Sequence, residues 1–245
     1  MSTISQENNS YDIIGNHALF VDRTHAAKLL AEKLKVLISK IFGDEADNQG
    51  PRQQELVILA IPRGGVITGD VIASALDTKL DVIVSRKIGA PHNPELAIGA
   101  VMHDGTFFPN KDIIQMLRIP KEYIRQQISI QMKEIERRLV LFRGANKRSD
   151  YNIEDKTIIL VDDGIATGAT VFACINWLKR QNPMDLIVAV PVAPRDTVDR
   201  LREQIDKIVV LHAPMLFGSV GAFYQDFSQV SDDKVVEIMS KYRSK

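Results

Sequence analysis

Two adjacent carboxylates, Asp162 and Asp163, precede a short run of small and hydroxyl residues, Gly164 to Thr170. Gly164 and Gly168 permit positive φ and close backbone approach, so successive N–H groups can point into one concavity at the start of a helix. That concavity suits a phosphate, and Thr167 and Thr170 can each add a hydroxyl donor. The carboxylates just upstream could accept hydrogen bonds from vicinal ribose hydroxyls or hold water on a magnesium ion. The ligand implied by these residues is a ribose 5-phosphate.

Two further groups could act on an anion. Pro62-Arg63-Gly64-Gly65 sets two glycines beside an arginine between an apolar run and a helical pattern, a combination suited to diphosphate, although such a turn is also common without a ligand. Arg86-Lys87 stands before a long Gly/Pro-rich stretch and reads either as anion-binding or as a solvated basic pair. His92, Glu95, His103 and Asp104 lack the regular spacing of a zinc site. Phe217, Phe223, Tyr224 and Phe227 cluster in a chain that is only 6% aromatic; they could stack on a heterocycle, with Asp226 reading a polar edge, or form a small satellite core. A Walker-type acidic pair would need a G-x-x-x-x-G-K-[ST] loop upstream, and the nearest approach, Gly64 to Gly69, is followed by Asp70.

The elements that must position these groups follow from periodicity. Thr157 to Val161 is short and rich in strand formers, so it reads as a buried strand ending at the acidic pair, and Val171, Ile175 and Leu178 recur at helical spacing behind the loop. Upstream, a helix capped by Thr24 runs to about Gly43 on Ala27, Leu30, Leu34, Leu37, Ile38 and Ile41. Leu56 to Ile61 reads as a strand, Val66 to Leu76 as a helix and Asp81 to Ser85 as the next strand. Ile88 to Pro109 reads as a long loop holding at most a short strand within Ile98 to Met102. Lys121 to Arg143 is a long helix entered through Pro120, an insertion able to cover one sheet edge. Leu186 to Val190 and Ile208 to Leu211 read as strands around a polar helix, Arg195 to Gln204, and a last helix starts near Asp232. Met1 to Tyr11 reads as a frayed terminus and Asp44 to Arg52 as a surface loop. Alternating strands and helices predict an α/β fold, an open mostly parallel sheet with helices on both faces, where ligands bind beyond the carboxyl ends of the strands.

The 245 residues fit one domain, 1–245, with its core at about 55–213 and a tail at about 214–245. Zero formal net charge gives no global field favouring nucleic acid or membrane. The single cysteine, Cys174, excludes an intramolecular disulfide and reads as a small core residue. No apolar run reaches the length of a membrane span and the polar start is no signal peptide, so a cytoplasmic protein is expected.

The stretch Val161-Asp162-Asp163 through Thr167-Gly168-x-Thr170 resembles the 5-phosphoribosyl-1-diphosphate (PRPP) signature of the type I phosphoribosyltransferases. The resemblance spans about Glu55 to Ala213 and leaves the first helix, the Lys121 to Arg143 helix and the aromatic tail unexplained. It implies a magnesium-dependent enzyme that transfers 5-phosphoribosyl from PRPP to a nitrogen acceptor, a nucleobase by analogy, and releases diphosphate. By that likeness Ala166, Thr167, Gly168, Ala169 and Thr170 hold the 5-phosphate, and Asp162 and Asp163 hold the ribose hydroxyls and, through water, the metal. Arg63, Gly64, Arg86 and Lys87 take the diphosphate, with Asp162, Asp163, Arg63 and Lys87 carrying the catalysis; Phe223, Tyr224 and Asp226 belong to a hood over the acceptor. Ile88 to Pro109 corresponds to the family's mobile loop, and the family is commonly dimeric. Members acting on 6-oxopurines carry D-T-G-K-T in the loop; Ala166 and Ala169 here argue against a hypoxanthine-guanine acceptor and leave Glu95 or Asp226 to serve as base where one is needed. The rival expectation is a non-catalytic regulator of the same fold that senses PRPP or a nucleotide and binds nucleic acid. Between Lys133 and Asp150 lie six basic residues (Lys133, Arg137, Arg138, Arg143, Lys147, Arg148) against three acidic ones, a bias more typical of a solvated helix face.

Overall fold

The computed structural model describes residues 18–42, 55–144, 151 and 153–243. The readings made for Met1 to Tyr11, for Asp44 to Arg52 and for Lys147, Arg148 and Asp150 lie outside those residues. The chain opens with α1 (Arg23–Phe42), followed by β1 (Leu56–Ala60), α2 (Gly64–Ala75) and β2 (Lys79–Val82). Next come β3 (Ser85–Ala90), β4 (Asn93–Met102), β5 (Phe107–Pro109), α3 (Lys111–Met116) and α4 (Lys121–Arg143). It closes with β6 (Thr157–Val161), α5 (Ala169–Lys179), β7 (Asp185–Val192), α6 (Arg195–Arg202), β8 (Lys207–His212) and α7 (Asp232–Ser240).

Five strands form a parallel sheet in the order β2-β1-β6-β7-β8. Strand pleating sends alternate side chains to opposite faces, so the apolar runs cover both. Ile58, Ala60, Ile159 and Val161 pack with Leu30 and Leu34 of α1 and Val66 and Ile72 of α2. Leu59, Ile158 and Leu160 pack with Ile175 and Leu178 of α5, Cys174 included, and with Val198 and Leu201 of α6. The order places β1 beside β6, and their connections leave in opposite directions along the sheet. That is the switch point where an open α/β sheet has a crevice beyond its strand ends.

Three expectations change. The helix expected from a Thr24 cap begins two residues earlier, because Asp22 Oδ1 accepts the backbone N–H of His25 at 2.7 Å. The strand expected at Asp81 to Ser85 is the junction of two: β2 closes the parallel sheet and β3 opens another. Ile88 to Pro109 is not a loop, since β3, β4 and β5 form a three-stranded antiparallel sheet, irregular where Gly89 is crossed. A Cβ at Gly89 would lie 2.4 Å from Pro94 O, and Gly99 holds φ +156° against Phe107. The glycines that looked like loop punctuation let strands approach closely.

Helix α4 has the bounds that periodicity gave it and packs against β3, β4 and the β2 edge, with Ile135 and Phe142 fully buried. It also ties down the antiparallel sheet, through the Tyr123 hydroxyl donating to Gly89 O at 3.0 Å. The short α3 escaped the sequence reading; its mark is Asn110, whose side chain accepts the Ile113 N–H at 3.3 Å.

On the α5 face, His103 follows β4 and lies between Tyr151 and Trp177, at ring separations of 4.9 and 4.5 Å. Trp177 Nε1 donates to Asp104 at 2.8 Å, and Arg143 stacks on Tyr151 while donating to Asp81 at 2.6 Å. Burial holds the imidazole pKa down to about 4, with Asp104 opposing the shift and Arg143 adding to it. The unfolded chain takes up that proton near pH 6.5, so the stability from the neutral imidazole is present above 6.5 and lost as pH falls toward 4. We expect about 2 kcal/mol less stability at pH 5 than at pH 7 from this group. Urea denaturation at the two pH values reads it, and His103→Gln removes that part of the difference.

Candidate active site

Register decides the first contact of the site. Ala60 pairs with Val161, so the residues that leave β1 and β6 emerge side by side. Those residues are Pro62-Arg63-Gly64-Gly65, whose Pro62–Arg63 peptide is cis, and Asp162-Asp163. The acidic pair packs directly on the glycines. A Cβ on Gly64 would fall 1.8 Å from Asp163 Oδ2, and one on Gly65 would fall 2.9 Å from Asp162 Cα and 3.0 Å from Val161 O.

Around this contact lies a cavity of about 700 Å³. Its wall brings together Arg63, Gly64, Arg86, Lys87, Asp162, Asp163 and Thr170, seven of the residues named from sequence. Helix α4 supplies the far side through Tyr123, Gln127, Gln131 and Arg138. Arg86 Nε donates to Gln131 Oε1 at 3.0 Å, a neutral partner. Burial and the nearby Arg138 lower the Arg86 pKa, with the charge of Glu134 opposing the shift. Arg63 reaches Asp232 at 3.5 Å, Arg138 pairs with Glu134 at 2.7 Å, and Lys87 pairs with Glu95 at 2.7 Å near the hairpin tip.

Beyond the acidic pair the chain turns through Gly164 and enters α5 behind Gly168, whose φ of +77° makes it a left-handed cap. Ala166 and Thr167 are exposed, Thr170 sits in the first helical turn, the first helical bond runs from Phe172 N–H to Gly168 O at 2.8 Å, and no side chain among the described residues caps the entry. The first N–H groups of α5 thus head an open helix start.

Asp162 is half-buried, and its pKa is driven well up by desolvation and by the charge of Asp163 beside it. Its Oδ1 accepts the Asp163 N–H at 2.8 Å. Asp163 is gripped from outside the loop. Arg23 Nε donates to its Oδ2 at 2.6 Å, and the Tyr224 hydroxyl donates to its backbone carbonyl at 2.6 Å.

The tail residues take other places. Tyr224 is buried behind Asp163, and Phe223 is half-buried, 5.3 Å from Phe217 and 5.6 Å from His212. Asp226 accepts from Ser228 N at 2.9 Å and from its hydroxyl. None of the three lines the cavity, because the tail rings pack with Phe20 and Val192 in a cluster of their own. The Asp226 and Glu95 carboxyls both sit below their ordinary range, the first through Ser228 and the second through Lys87, which makes each a weaker base.

The domain signature described as a phosphoribosyl transferase domain matches residues 21–215. The chain belongs to the phosphoribosyl transferase family. A Mycobacterium tuberculosis protein provisionally named a phosphoribosyl transferase, found in two strains, is 35% identical over 223 residues, covering 91% of this chain and 47% of its own. The chain therefore spans about half the length of the curated relatives it matches. The crystal structure of TT1426 from Thermus thermophilus superposes with a TM-score of 0.71 at 34% identity, covering 91% of this chain and 98% of that one. The match starts at residue 21, so α1 lies inside the phosphoribosyl transferase domain, whereas the sequence motifs had set it outside.

Sequence reasoning missed Arg23 and the cavity-facing side of α4. Tyr123, Gln127 and Gln131 recur at four, a signal that reads only as a polar helix stripe until the helix is docked. Arg23 carries no local signal, since its partner lies 140 residues away. Among the described residues no group of three or more His, Cys, Asp or Glu could hold a metal, and none of the helices is long and apolar enough to cross a membrane.

Gly65→Ala is expected to cost about 1–3 kcal/mol through overpacking against the Asp162 backbone. A Gly218→Ala control, where an added Cβ meets nothing within 4 Å, should leave the melting temperature unchanged.

Proposed function

We propose that this protein transfers 5-phosphoribosyl from PRPP to a nitrogen acceptor, a nucleobase in the simplest case, and releases diphosphate. The observation that carries this reading is the junction of the acidic pair with Gly64-Gly65 at the β1/β6 crevice, beside the open start of α5. A ribose carrying phosphate at one end and diphosphate at the other matches that order of groups.

In this reading Ala166 to Thr170 hold the 5-phosphate on backbone N–H groups and the threonine hydroxyls. Asp162 and Asp163 accept from the ribose hydroxyls. Arg63, Gly64, Arg86 and Lys87 face the diphosphate, whose negative charge grows as the C1–O bond breaks; preorganised cations there lower the barrier. Lys87 exchanges Glu95 for the diphosphate, a cheap exchange because an exposed pair is held weakly. The C1–N bond forms as the C1–O bond is lost, and the acceptor nitrogen gives its proton to the departing diphosphate or to water. The two carboxylates also fit magnesium, which takes few protein oxygens and completes its shell with water and substrate phosphates. Bound there, it would neutralise diphosphate charge.

The pairing of Arg137 and Arg138 with Glu134, and of Arg137 with Asp232, supports reading the basic stretch of α4 as a satisfied surface rather than a nucleic-acid face. A homodimer stays part of the proposal, as the family resemblance implies it, and so does the cytoplasm expected from the sequence.

The test is diphosphate release from PRPP and magnesium across purines, pyrimidines and simple amines. Release should depend on one acceptor class, and Asp162→Asn/Asp163→Asn should lower it by about 10²-fold or more. PRPP binding without release for any acceptor would favour the regulator. Glu95→Gln and Asp226→Asn should each leave kcat within about twofold, because neither is placed as a general base.

A further inference from the structure

Arg23 begins α1, far in sequence from the phosphate loop, yet its side chain is only 10% exposed and reaches both the site and the tail with its guanidinium. Nε donates to Asp163 Oδ2 at 2.6 Å. Nη1 donates to Ser228 O at 2.8 Å. The planar group lies 3.8 Å from the Phe227 ring centroid. One residue therefore joins the ribose-side carboxylate to the aromatic tail.

The tail is bound to the same segment by its backbone. Phe20 N–H donates to Phe223 O at 2.9 Å, Gln225 N–H to Phe20 O at 2.8 Å, and Asp226 N–H to Val21 O at 2.8 Å. Tyr224, between those bonds, reaches the carbonyl of Asp163 itself. On the opposite side Gly64 leaves no room for Asp163 to retreat, since even a Cβ there would strike Oδ2, and it would stand 3.0 Å from Arg23 Nε. Asp163 is thus fixed by side chain, by backbone and by the diphosphate loop.

An aspartate at a strand end has two free side-chain torsions, and a carboxylate that must accept a ribose hydroxyl gains by having them set before the ligand arrives. A guanidinium on Oδ2 sets them and leaves the other oxygen for the ligand. We propose that Arg23 is a positioning residue for Asp163, acting with the tail at Phe227 and Ser228, so that order in the tail is transmitted to the PRPP subsite. This rests on the PRPP reading above. The bland alternative is a staple that only holds α1 and the tail together.

Calorimetry of the full chain with PRPP and magnesium separates them. The wild type failing to bind PRPP would overturn the proposed function and this inference with it. Given wild-type binding, Arg23→Ala should weaken PRPP about tenfold or more while still melting cooperatively, as expected for a misplaced binding group. Millimolar guanidinium should restore the affinity, and methylammonium at the same ionic strength should not. Unchanged affinity in Arg23→Ala, or a loss that guanidinium does not recover, would overturn the positioning role while leaving the PRPP reading intact. Should Arg23→Ala not fold, Arg23→Lys carries the test: it keeps the charge but not the fork, so a comparable loss supports the role and wild-type affinity overturns it.

Discussion

The contact between two backbones at the β1/β6 crevice is the constraint on which the rest of the molecule depends. Asp162 and Asp163 can lie against the chain leaving β1 only because residues 64 and 65 have no Cβ. The contact exists at all because Ala60 and Val161 are paired in register. A slip of one residue would send the side chains of one buried layer of β1 or β6 into the other, so the two layers that hold the register also hold the site. Packing and chemistry are one specification here.

The charges follow from that closeness. Two carboxylates pressed together in a half-buried place would repel, and the chain manages this unequally. Arg23 is committed to Asp163, whereas desolvation and that neighbouring charge leave Asp162 reluctant to ionise. On the opposite wall, Arg86 meets an amide and other cations rather than a carboxylate of its own. Carboxyl groups and cations thus line one cavity of about 700 Å³, an arrangement that a substrate with its own charges and hydroxyls can bridge.

Much of this was legible in the residues. The strand, acidic pair, loop and helix from Thr157 to Lys179 lie in one contiguous stretch whose order carries its meaning, and α4 was readable end to end because its apolar residues repeat over many turns. What could not be read was set by partners distant in sequence. The antiparallel sheet looked like a loop because Gly89, Pro91, Pro94 and Gly99 are turn residues by local preference, and only cross-strand contact gives them a strand role. Arg23 and Gln131 were silent because a charged or amide residue on an amphipathic helix has a solvent-facing meaning until the fold brings it a partner. The tail was legible as an aromatic cluster, but its rings turn to Phe20 and to each other rather than to the cavity.

Trp177 is the one tryptophan in the chain. It lies two turns along the helix that starts at the phosphate loop, hydrogen-bonded to Asp104 and edge-on to His103 at a ring separation of 4.5 Å. The tryptophan emission of this chain therefore comes from a single known place, the seam between α5 and the turn after β4. Any event that shifts α5 along its axis, or that charges the imidazole beside the indole, changes the colour or yield of that emission. The fold has put a native optical reporter on the same rigid rod whose open N-terminus faces the proposed phosphate site.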